Sequence, residues 1–385
     1  MDSGSKRAYL EAVKVRYISA KKYEKTQILN EFCKNCNYNR KYAIRLISQN
    51  KNQTNPKKRS GRKKKYHRTE IITFLQDMLK ATNLICSKRL KAVIPLWIPY
   101  YEKNNLTEEI KQLILEISPA TIDRLLSKYR HKFGKIGLAT TKPGSILKKR
   151  IPIKTNQWDE SRPGFLEADT VAHCGNSIAG SFVYTVNIVD IATGWTEQRA
   201  VWGKGQNGVF RALQSIEEVL PFKILGFDSD NGSEFINYHI EKFFTNRKKP
   251  VQYTRSRPYQ KNDNAHIEQK NWTNIRQYLG YSRFDNPEIL PLLSELYTSD
   301  WRLFFNFFLP SVKLIDKQRI DGKIVKIYDH PKTPFQRLKE SGFVKSQFIG
   351  KYKSVLKNVN PYLLQKTIKE KIINILKLAN HAGFK

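Results

Sequence analysis

The chain of 385 residues contains only four cysteines, too few and too scattered for a disulfide framework in a protein of this size. A reducing, cytoplasmic compartment is therefore expected. Cys33 and Cys36 have metal-ligand spacing, but no second pair of zinc ligands lies nearby, so two partly buried thiols are favoured over a zinc site. No run of about 18 apolar residues is present, and the first residues lack the apolar core of a signal peptide, which argues against a membrane protein.

Acidic residues are scarce relative to basic ones: 34 Asp and Glu against 69 Lys and Arg give a formal net charge of +35. The excess is not uniform along the chain. Residues 1–150 carry 35 basic and 11 acidic side chains, residues 151–290 carry 16 of each, and residues 291–385 carry 18 and 7. A neutral middle segment between two basic ones indicates a catalytic module whose flanks bind a polyanion. Nucleic acid is favoured over an acidic membrane.

The first 48 residues predict a pair of short helices. Apolar residues at helical spacing indicate a helix over residues 25–33, and Asn39 is a suitable N-cap for a second helix over residues 40–47. We expect Ala43, Ile44 and Ile47 to face inward. The charged side chains on the outer face, candidates for DNA contact, are Arg40, Lys41 and Arg45. The pattern fits a helix-turn-helix unit and equally an ordinary helical hairpin with a solvated charged face.

Residues 49–66 have no hydrophobic periodicity, so they predict a basic linker that lies along a phosphate backbone or serves as a solubilising tether. Its candidate DNA-binding residues are Lys57, Lys58, Arg59, Arg62, Lys63, Lys64 and Lys65. Helical patterns resume over residues 69–131, where Ser118 and Pro119 mark the start of a second recognition-like helix that exposes Arg124 and Lys128. A linker over residues 132–156, with several Gly and Pro residues, places a domain boundary near residue 150.

The middle segment predicts one α/β domain. Alternating or continuous apolar patterns indicate strands over residues 165–171, 181–189, 196–202, 223–227 and 251–254. Helical periodicity indicates helices over residues 207–220, 235–244 and 264–279. This order favours a mixed five-stranded sheet with helices on its faces.

Three carboxylates in this domain occupy informative positions. Asp169 lies inside the first strand, where a buried charge is costly unless it is paired or bound to metal. Asp230 begins an Asp-Asn-Gly turn after the fourth strand, at the edge where ligands of α/β sheets gather. Glu268 lies one turn into the last helix. Converging carboxylates suit Mg²⁺ or Mn²⁺, and two such ions promote in-line phosphoryl transfer. Glu167 and Asp228 compete, because residues two apart on a strand share a face.

These blocks resemble the three signature blocks of DDE transposases with a retroviral-integrase-type catalytic core, most closely those of bacterial insertion sequences. The matching residues are 166–170, 230–235 and 257–268, and the resemblance covers about residues 160–285. It implies an α/β ribonuclease-H-like core whose catalytic and metal-binding triad is Asp169, Asp230 and Glu268, with two Mg²⁺ or Mn²⁺ ions. The implied reaction is nicking at transposon ends followed by attack of the freed 3′-hydroxyl on target DNA.

The same resemblance implies the partners and the location. The partners are double-stranded DNA, as transposon ends and as target, and further copies of the chain in a homo-oligomer on DNA. The location is the bacterial cytoplasm, at the nucleoid. Related cores often carry Lys or Arg seven positions past the Glu. This chain has Ile275 there, so Lys270 and Arg276 are the nearby DNA-binding candidates. Two alternatives stay open: a DNA-binding regulator with an inactive core, and a ribonuclease-H-type nuclease without strand transfer.

The C-terminal part predicts helices and one hairpin, at residues 319–328 around an Asp-Gly turn. An apolar stripe in the last basic helix either packs on the chain's own core or contacts a partner helix; its members are Leu363, Leu364, Ile368, Ile372, Ile375 and Leu376. The predicted domains are a helix-turn-helix unit with its basic linker, a second helical unit, the catalytic core and a basic C-terminal region, at residues 1–66, 67–150, 151–285 and 286–385.

Overall fold

The structure is a computed structural model that describes residues 1–48, 65–103, 106–130, 161–229, 234–235, 238–255, 265–320, 323–344 and 346–381. Its internal contacts divide the chain into two compact units, Met1–Lys65 and Tyr66–Lys385. The finer division into four domains stays a prediction.

The first unit contains three helices: α1 Ser3–Ser19, α2 Lys22–Cys36 and α3 Arg40–Ser48. The chain turns after α2 at Asn37, which adopts the left-handed conformation with φ of 53°. Asn39 Oδ1 accepts a hydrogen bond from the Lys41 amide at 3.0 Å, as expected of an N-cap residue. The local signals for the start of α3 are therefore confirmed.

The inward face of α3 is narrower than predicted. Ala43 and Ile47 are buried in one cluster with Phe32, but the side chain of Ile44 is 44% exposed. The prediction that Ile44 faces inward is wrong. A nine-residue helix buries only a narrow stripe, and positions four apart such as 43 and 47 lie along that stripe while the neighbouring position lies outside it.

The second unit is built on a five-stranded mixed sheet in the order β3-β2-β1-β4-β5. Strands β1, β2 and β3 pair antiparallel, and β4 and β5 add parallel to β1. The strands are β1 Phe165–Ala172, β2 Val183–Asp190, β3 Thr196–Trp202, β4 Gly226–Ser229 and β5 Gln252–Arg255. This order and these directions confirm the predicted ribonuclease-H-like core.

Helices cover both faces of the sheet. On one face, Leu166 and Ala168 of β1 share a core with residues of two helices, α8 Gln206–Val219 and α9 Tyr238–Thr245. On the other face, Val171 and Val183 belong to a larger core. The helical segments there are α10 Ala265–Lys270, a π-helical turn Asn271–Arg276, α11 Gln277–Leu279, α12 Ile289–Leu296, and two more π-helical turns, Tyr297–Trp301 and Phe304–Phe308.

The larger core also contains helices from both ends of the second unit. Trp97 Nε1 donates to the Phe308 carbonyl oxygen at 3.2 Å, and the Tyr362 hydroxyl lies 2.9 Å from Met78 Sδ. The elements before the sheet are α4 Thr69–Ala81, α5 Ser87–Trp97, a 3₁₀ turn Ile98–Tyr100, α6 Glu108–Glu116 and α7 Pro119–Arg130. Those after it are the hairpin β6 Leu314–Ile320 and β7 Lys323–Tyr328, then α13 Pro334–Glu340, α14 Ser346–Lys357 and α15 Pro361–His381.

Most of the predicted apolar stripe of α15 packs within the chain. Its buried members are Leu364, Ile368, Ile372 and Ile375, while Leu376 is partly buried and Leu363 is 61% exposed. The stripe therefore serves intrachain packing, with Leu363 outside it.

A buried carboxylate connects β3 to the C-terminal helices. Glu197 Oε1 lies 2.7 Å from Arg302 Nε and accepts from Trp195 Nε1 at 3.0 Å, while Arg199 Nη1 lies 3.4 Å from Oε2. Both arginines also donate to backbone carbonyl oxygens of α8. Because an unpaired charge is costly in a protein interior, these contacts depend on one another.

We expect Glu197→Gln to lower the free energy of unfolding by about 3–5 kcal/mol, because two guanidinium groups stay buried without a carboxylate. Denaturant unfolding measures the change. The matched control is Glu217→Gln, which removes the partner of Arg247 from a more exposed pair at 2.5 Å and should cost about 1 kcal/mol or less. Equal losses in the two variants would contradict the importance assigned to the buried cluster.

Candidate active site

Asp169 lies toward the carboxyl end of β1, on the sheet face that α10 covers. The alternation of the strand turns Leu166 and Ala168 into the opposite core and leaves Glu167 and Asp169 on this face. Asp169 is half-buried. Its Oδ1 accepts from the backbone amide of Thr170 at 2.7 Å, and its Oδ2 accepts from Asn271 Nδ2 at 2.7 Å. Donors on both oxygens fix the orientation of this carboxylate.

The helix that carries Glu268 is attached to the sheet at two points. Asn271 follows Glu268 by three residues, so both lie on one side of the helix, and the bond from Asn271 to Asp169 places that side over the end of β1. Glu167 holds the start of α10: its buried carboxylate accepts from the Ile267 amide at 2.9 Å. That amide is one of the first N–H groups of the helix, which have no acceptor within it. Glu268 itself is exposed.

Asp230, the second predicted ligand, lies outside the described residues. The last residue of β4, Ser229, is the register partner of Ala168. The competing Asp228 is buried in register with Glu167 and accepts from Thr254 Oγ1 on β5 at 2.6 Å. Asp228 is thus engaged inside the sheet.

The described part of the chain does not by itself assemble a metal centre. Within those residues, no group of three or more His, Cys, Asp or Glu side chains lies close enough together to hold an ion. The structure brings the helix of Glu268 onto Asp169, and the position of Asp230 is not described. Metal ligation by the triad stays a prediction.

The two cations predicted to contact DNA near the site have neighbours inside the protein. Arg276 donates to two backbone carbonyl oxygens, at 2.8 and 3.3 Å. Lys270 is half-buried, and burial, together with the nearby charges of Arg89 and Arg337, lowers its pKa to about 7. A DNA contact by either residue stays a prediction.

The two histidines near the site are neutral at physiological pH. Burial, together with the charges of Lys313 and Lys270, lowers the pKa of His266 to about 4. Burial and the charge of Arg276 lower the pKa of His173 to about 3, and its Nε2 is hydrogen-bonded to Thr185 Oγ1 at 2.8 Å. His173 is therefore part of a buried polar network.

The remaining DNA-binding candidates occur on exposed surfaces wherever they are described. In the first unit these are Arg40, Lys41, Arg45 and Lys65, and on α7 of the second unit they are Arg124 and Lys128. Arg40 also donates to the Asn30 side chain. The linker candidates Lys57, Lys58, Arg59, Arg62, Lys63 and Lys64 lie outside the described residues.

In the part of the chain that is described, no helix has the length and apolar character needed to span a membrane.

Sequence reasoning missed Asn271, whose side chain donates a hydrogen bond to Asp169 from the helical segment that carries Glu268. Its offset of three from Glu268 was a usable signal, because helical residues three apart share a side. Glu167 was recognised only as a competing carboxylate, whereas the structure places it at the start of α10. No sequence pattern indicated that role, since β1 and α10 are about 100 residues apart.

Comparison with known proteins gives one family relation. The chain is 36% identical over 332 residues to "Uncharacterized protein y4rM" of Sinorhizobium fredii, covering 85% of this chain and 93% of that protein. The chain belongs to the same family as y4rM. No protein-family model matches it.

Among solved structures, the chain is similar to the catalytic core domain of BIV integrase, at 14% identity and TM-score 0.31, covering 46% of this chain and 95% of that one. It is also similar to the HTLV-2 integrase catalytic core domain solved in complex with magnesium, at 14% identity and TM-score 0.28, covering 42% and 93%. The fold of this chain follows from its own strand order and directions.

We expect Glu167→Leu to loosen the start of α10, because the buried Ile267 amide loses its acceptor at a cost of about 1–3 kcal/mol. Hydrogen–deuterium exchange across residues 265–279 measures the effect as faster exchange. Glu167→Gln retains an acceptor oxygen and is the matched control. Similar exchange in the two variants would show that the carboxylate does not hold this helix.

Proposed function

We propose that this member of the y4rM family is a DDE-type polynucleotidyl transferase: a DNA transposase that nicks transposon ends and joins them to target DNA. In the joining step the freed 3′-hydroxyl attacks a target phosphodiester, and the 3′-oxygen of the cut target strand leaves. One observation carries the proposal. The helix of Glu268 is held over the carboxyl end of β1 by the bond between Asn271 and Asp169, so two of the three predicted ligands belong to elements that meet. This meeting point lies where α/β sheets gather their ligands.

The third ligand follows from the sequence around β4. The paired residues of β1 and β4 reach Ala168 and Ser229, and the next residue along each chain segment is an aspartate, Asp169 or Asp230. Asp228 is a weaker candidate because it is buried inside the sheet, in register with Glu167 rather than with Asp169. The register therefore supports the assignment of Asp230 over Asp228.

The donor set fits hard divalent cations, Mg²⁺ or Mn²⁺, because Asp169, Asp230 and Glu268 all present carboxylate oxygens. Two ions held by these residues would supply electrostatic stabilisation for in-line displacement at a phosphate. The residues of the chain do the positioning: Glu167 fixes the start of the helix, and Asn271 orients Asp169.

DNA as substrate is supported by charge. The first 150 residues carry 35 basic and 11 acidic side chains, and Lys41 and Arg45 are exposed on α3. We interpret α2 and α3 as a helix-turn-helix unit that binds transposon ends. Joining two ends requires at least two active sites, so a homo-oligomer on DNA is part of the proposal. A bacterial insertion sequence, acting at the nucleoid in the cytoplasm, is the source that fits the sequence blocks.

A DNA-binding regulator with an inactive core is the second candidate. The observation that favours it is that the candidate DNA-binding cations of α3 and α7 are exposed, a feature that does not depend on a catalytic triad. Incubation of the purified protein with a labelled end fragment and Mg²⁺ or Mn²⁺ separates the two candidates. Nicked and joined products support the transposase, and bound but uncut DNA supports the regulator.

We expect Asp169→Asn, Asp230→Asn and Glu268→Gln each to reduce nicking and joining by more than about a hundredfold, because each substitution removes one metal-binding charge. Loss of a ligand should cost more activity than loss of a residue that only orients a ligand, which costs about 10- to 100-fold. DNA binding should survive in all three. Gel analysis of nicked and joined products measures the chemistry, and filter binding measures the affinity. Asp228→Asn is the control; an active Asp230→Asn beside an inactive Asp228→Asn would overturn the assignment of the second ligand.

We expect the double variant Lys41→Gln/Arg45→Gln to weaken DNA binding and to reduce the slope of log affinity against log salt by about 2, one phosphate contact for each cation. Affinity for an end fragment, measured at several salt concentrations, tests this. The matched control is Lys22→Gln/Lys34→Gln, which removes two exposed cations from α2 of the same unit. An unchanged slope in the α3 variant would remove α3 from the DNA interface.

A further inference from the structure

A row of polar side chains crosses the sheet at the level of the catalytic aspartate. Asp169 of β1 is the register partner of Asn187 on β2, and Asn187 is the register partner of Gln198 on β3. Register partners on adjacent strands point to the same sheet face. Asn187 and Gln198 are both fully buried, so their carboxamides need hydrogen-bond partners inside the protein.

Three hydrogen bonds connect these side chains in one direction. Gln198 Nε2 donates to Asn187 Oδ1 at 2.8 Å, Asn187 Nδ2 donates to Asn271 Oδ1 at 2.7 Å, and Asn271 Nδ2 donates to Asp169 Oδ2 at 2.7 Å. Asn187 and Asn271 each accept on the carboxamide oxygen and donate from the nitrogen, and Gln198 provides the first donor. The chain of bonds starts two strands away from Asp169 and ends on its carboxylate.

The direction of this series of hydrogen bonds is fixed by its last acceptor, the Asp169 carboxylate. An ionised carboxylate only accepts hydrogen bonds, so Asn271 must present its nitrogen to Asp169 and its oxygen to Asn187. Asn187 must then present its nitrogen to Asn271 and its oxygen to Gln198. If the Asn187 donor is removed, the Asn271 oxygen loses its partner, and the carboxamide is no longer held in the orientation that serves Asp169. Consecutive bonds of this kind also strengthen one another.

A second polar chain on the same face gives an internal comparison. Thr185, two residues before Asn187 on β2, is hydrogen-bonded to His173 Nε2 at 2.8 Å and to the Tyr297 hydroxyl at 2.7 Å. Thr185 is equally buried. Among the contacts of the described residues, this second chain does not reach Asp169.

We propose that Asn187, supported by Gln198, is a positioning residue: through Asn271 it holds the Asp169 carboxylate in the orientation that receives a divalent cation. The proposal rests on the proposed function, since it concerns the metal ligand named there. It assigns a role to two residues of β2 and β3 that act on the Asp169 carboxylate only through Asn271.

The experiment measures Mn²⁺ binding to the full-length protein without DNA, from the loss of the free-ion signal in electron paramagnetic resonance. We expect Asn187→Leu, which removes the donor at similar volume, to weaken Mn²⁺ affinity by about tenfold, the lower end for groups that orient a metal ligand. Gln198→Met removes the first donor of the chain and should weaken affinity in the same direction by less. Thr185→Val is the matched control, because it removes a buried polar group from the same strand that is not part of the hydrogen-bond series ending on Asp169.

The outcomes separate the positioning role from general destabilisation. Thermal unfolding should show loss of stability in all three variants, whereas Mn²⁺ affinity should fall in Asn187→Leu and Gln198→Met and stay at the wild-type value in Thr185→Val. If Asn187→Leu does not fold, the comparison of Gln198→Met with Thr185→Val decides, and equal affinities overturn the proposal. If the wild-type protein binds no Mn²⁺, the metal site itself is overturned, and the proposal with it. If the wild-type protein binds Mn²⁺ and the variants bind it with the same affinity, only the positioning role is overturned.

Discussion

The central strand β1 imposes the constraint on which the candidate site depends. It pairs with β2 on one side and β4 on the other, and both its faces are covered by helices, so every polar side chain on it must find a partner. Its two-residue period directs Glu167 and Asp169 to one face. Their donors, the Ile267 amide and the Asn271 carboxamide, come from one helical segment. Satisfying two carboxylates therefore fixes the segment that also carries Glu268.

The same requirement organises the polar interior of the second unit. Glu197 is enclosed by two arginines and an indole N–H, and the side chains of Asn187 and Gln198 form a directed chain that ends on Asp169. These groups cost free energy if left unpaired, so each contact restricts the geometry of the next. The sheet face next to α10 is thus rigidly connected, whereas the candidate DNA-binding cations of α3 extend from an exposed helix surface.

Much of the fold was predictable because its signals are local. The strand over residues 196–202 has the predicted bounds, and the helix that begins at Pro119 starts where Ser118 and Pro119 indicated. Errors arose where tertiary contacts override local pattern. The helix predicted over residues 264–279 contains a π-helical turn at Asn271–Arg276, whose first residue is the one that bonds to Asp169. The fourth strand, predicted over residues 223–227, is Gly226–Ser229, and the backbone amides of Leu225 and Gly226 both donate to the Gly164 carbonyl oxygen where it begins.

The sequence by itself determined the elements, the mixed sheet, the basic flanks and the identity of the candidate carboxylates, because period, capping residues and charge act over short stretches of chain. Only the tertiary structure decided which side chains meet. Glu167 and Ile267 are 100 positions apart, Asp169 and Asn271 are 102 apart, and Asn187 and Asn271 are 84 apart. No local pattern encodes such pairs. They follow from strand register and from the docking of a helix whose position is set by the need of buried polar groups for hydrogen-bond partners.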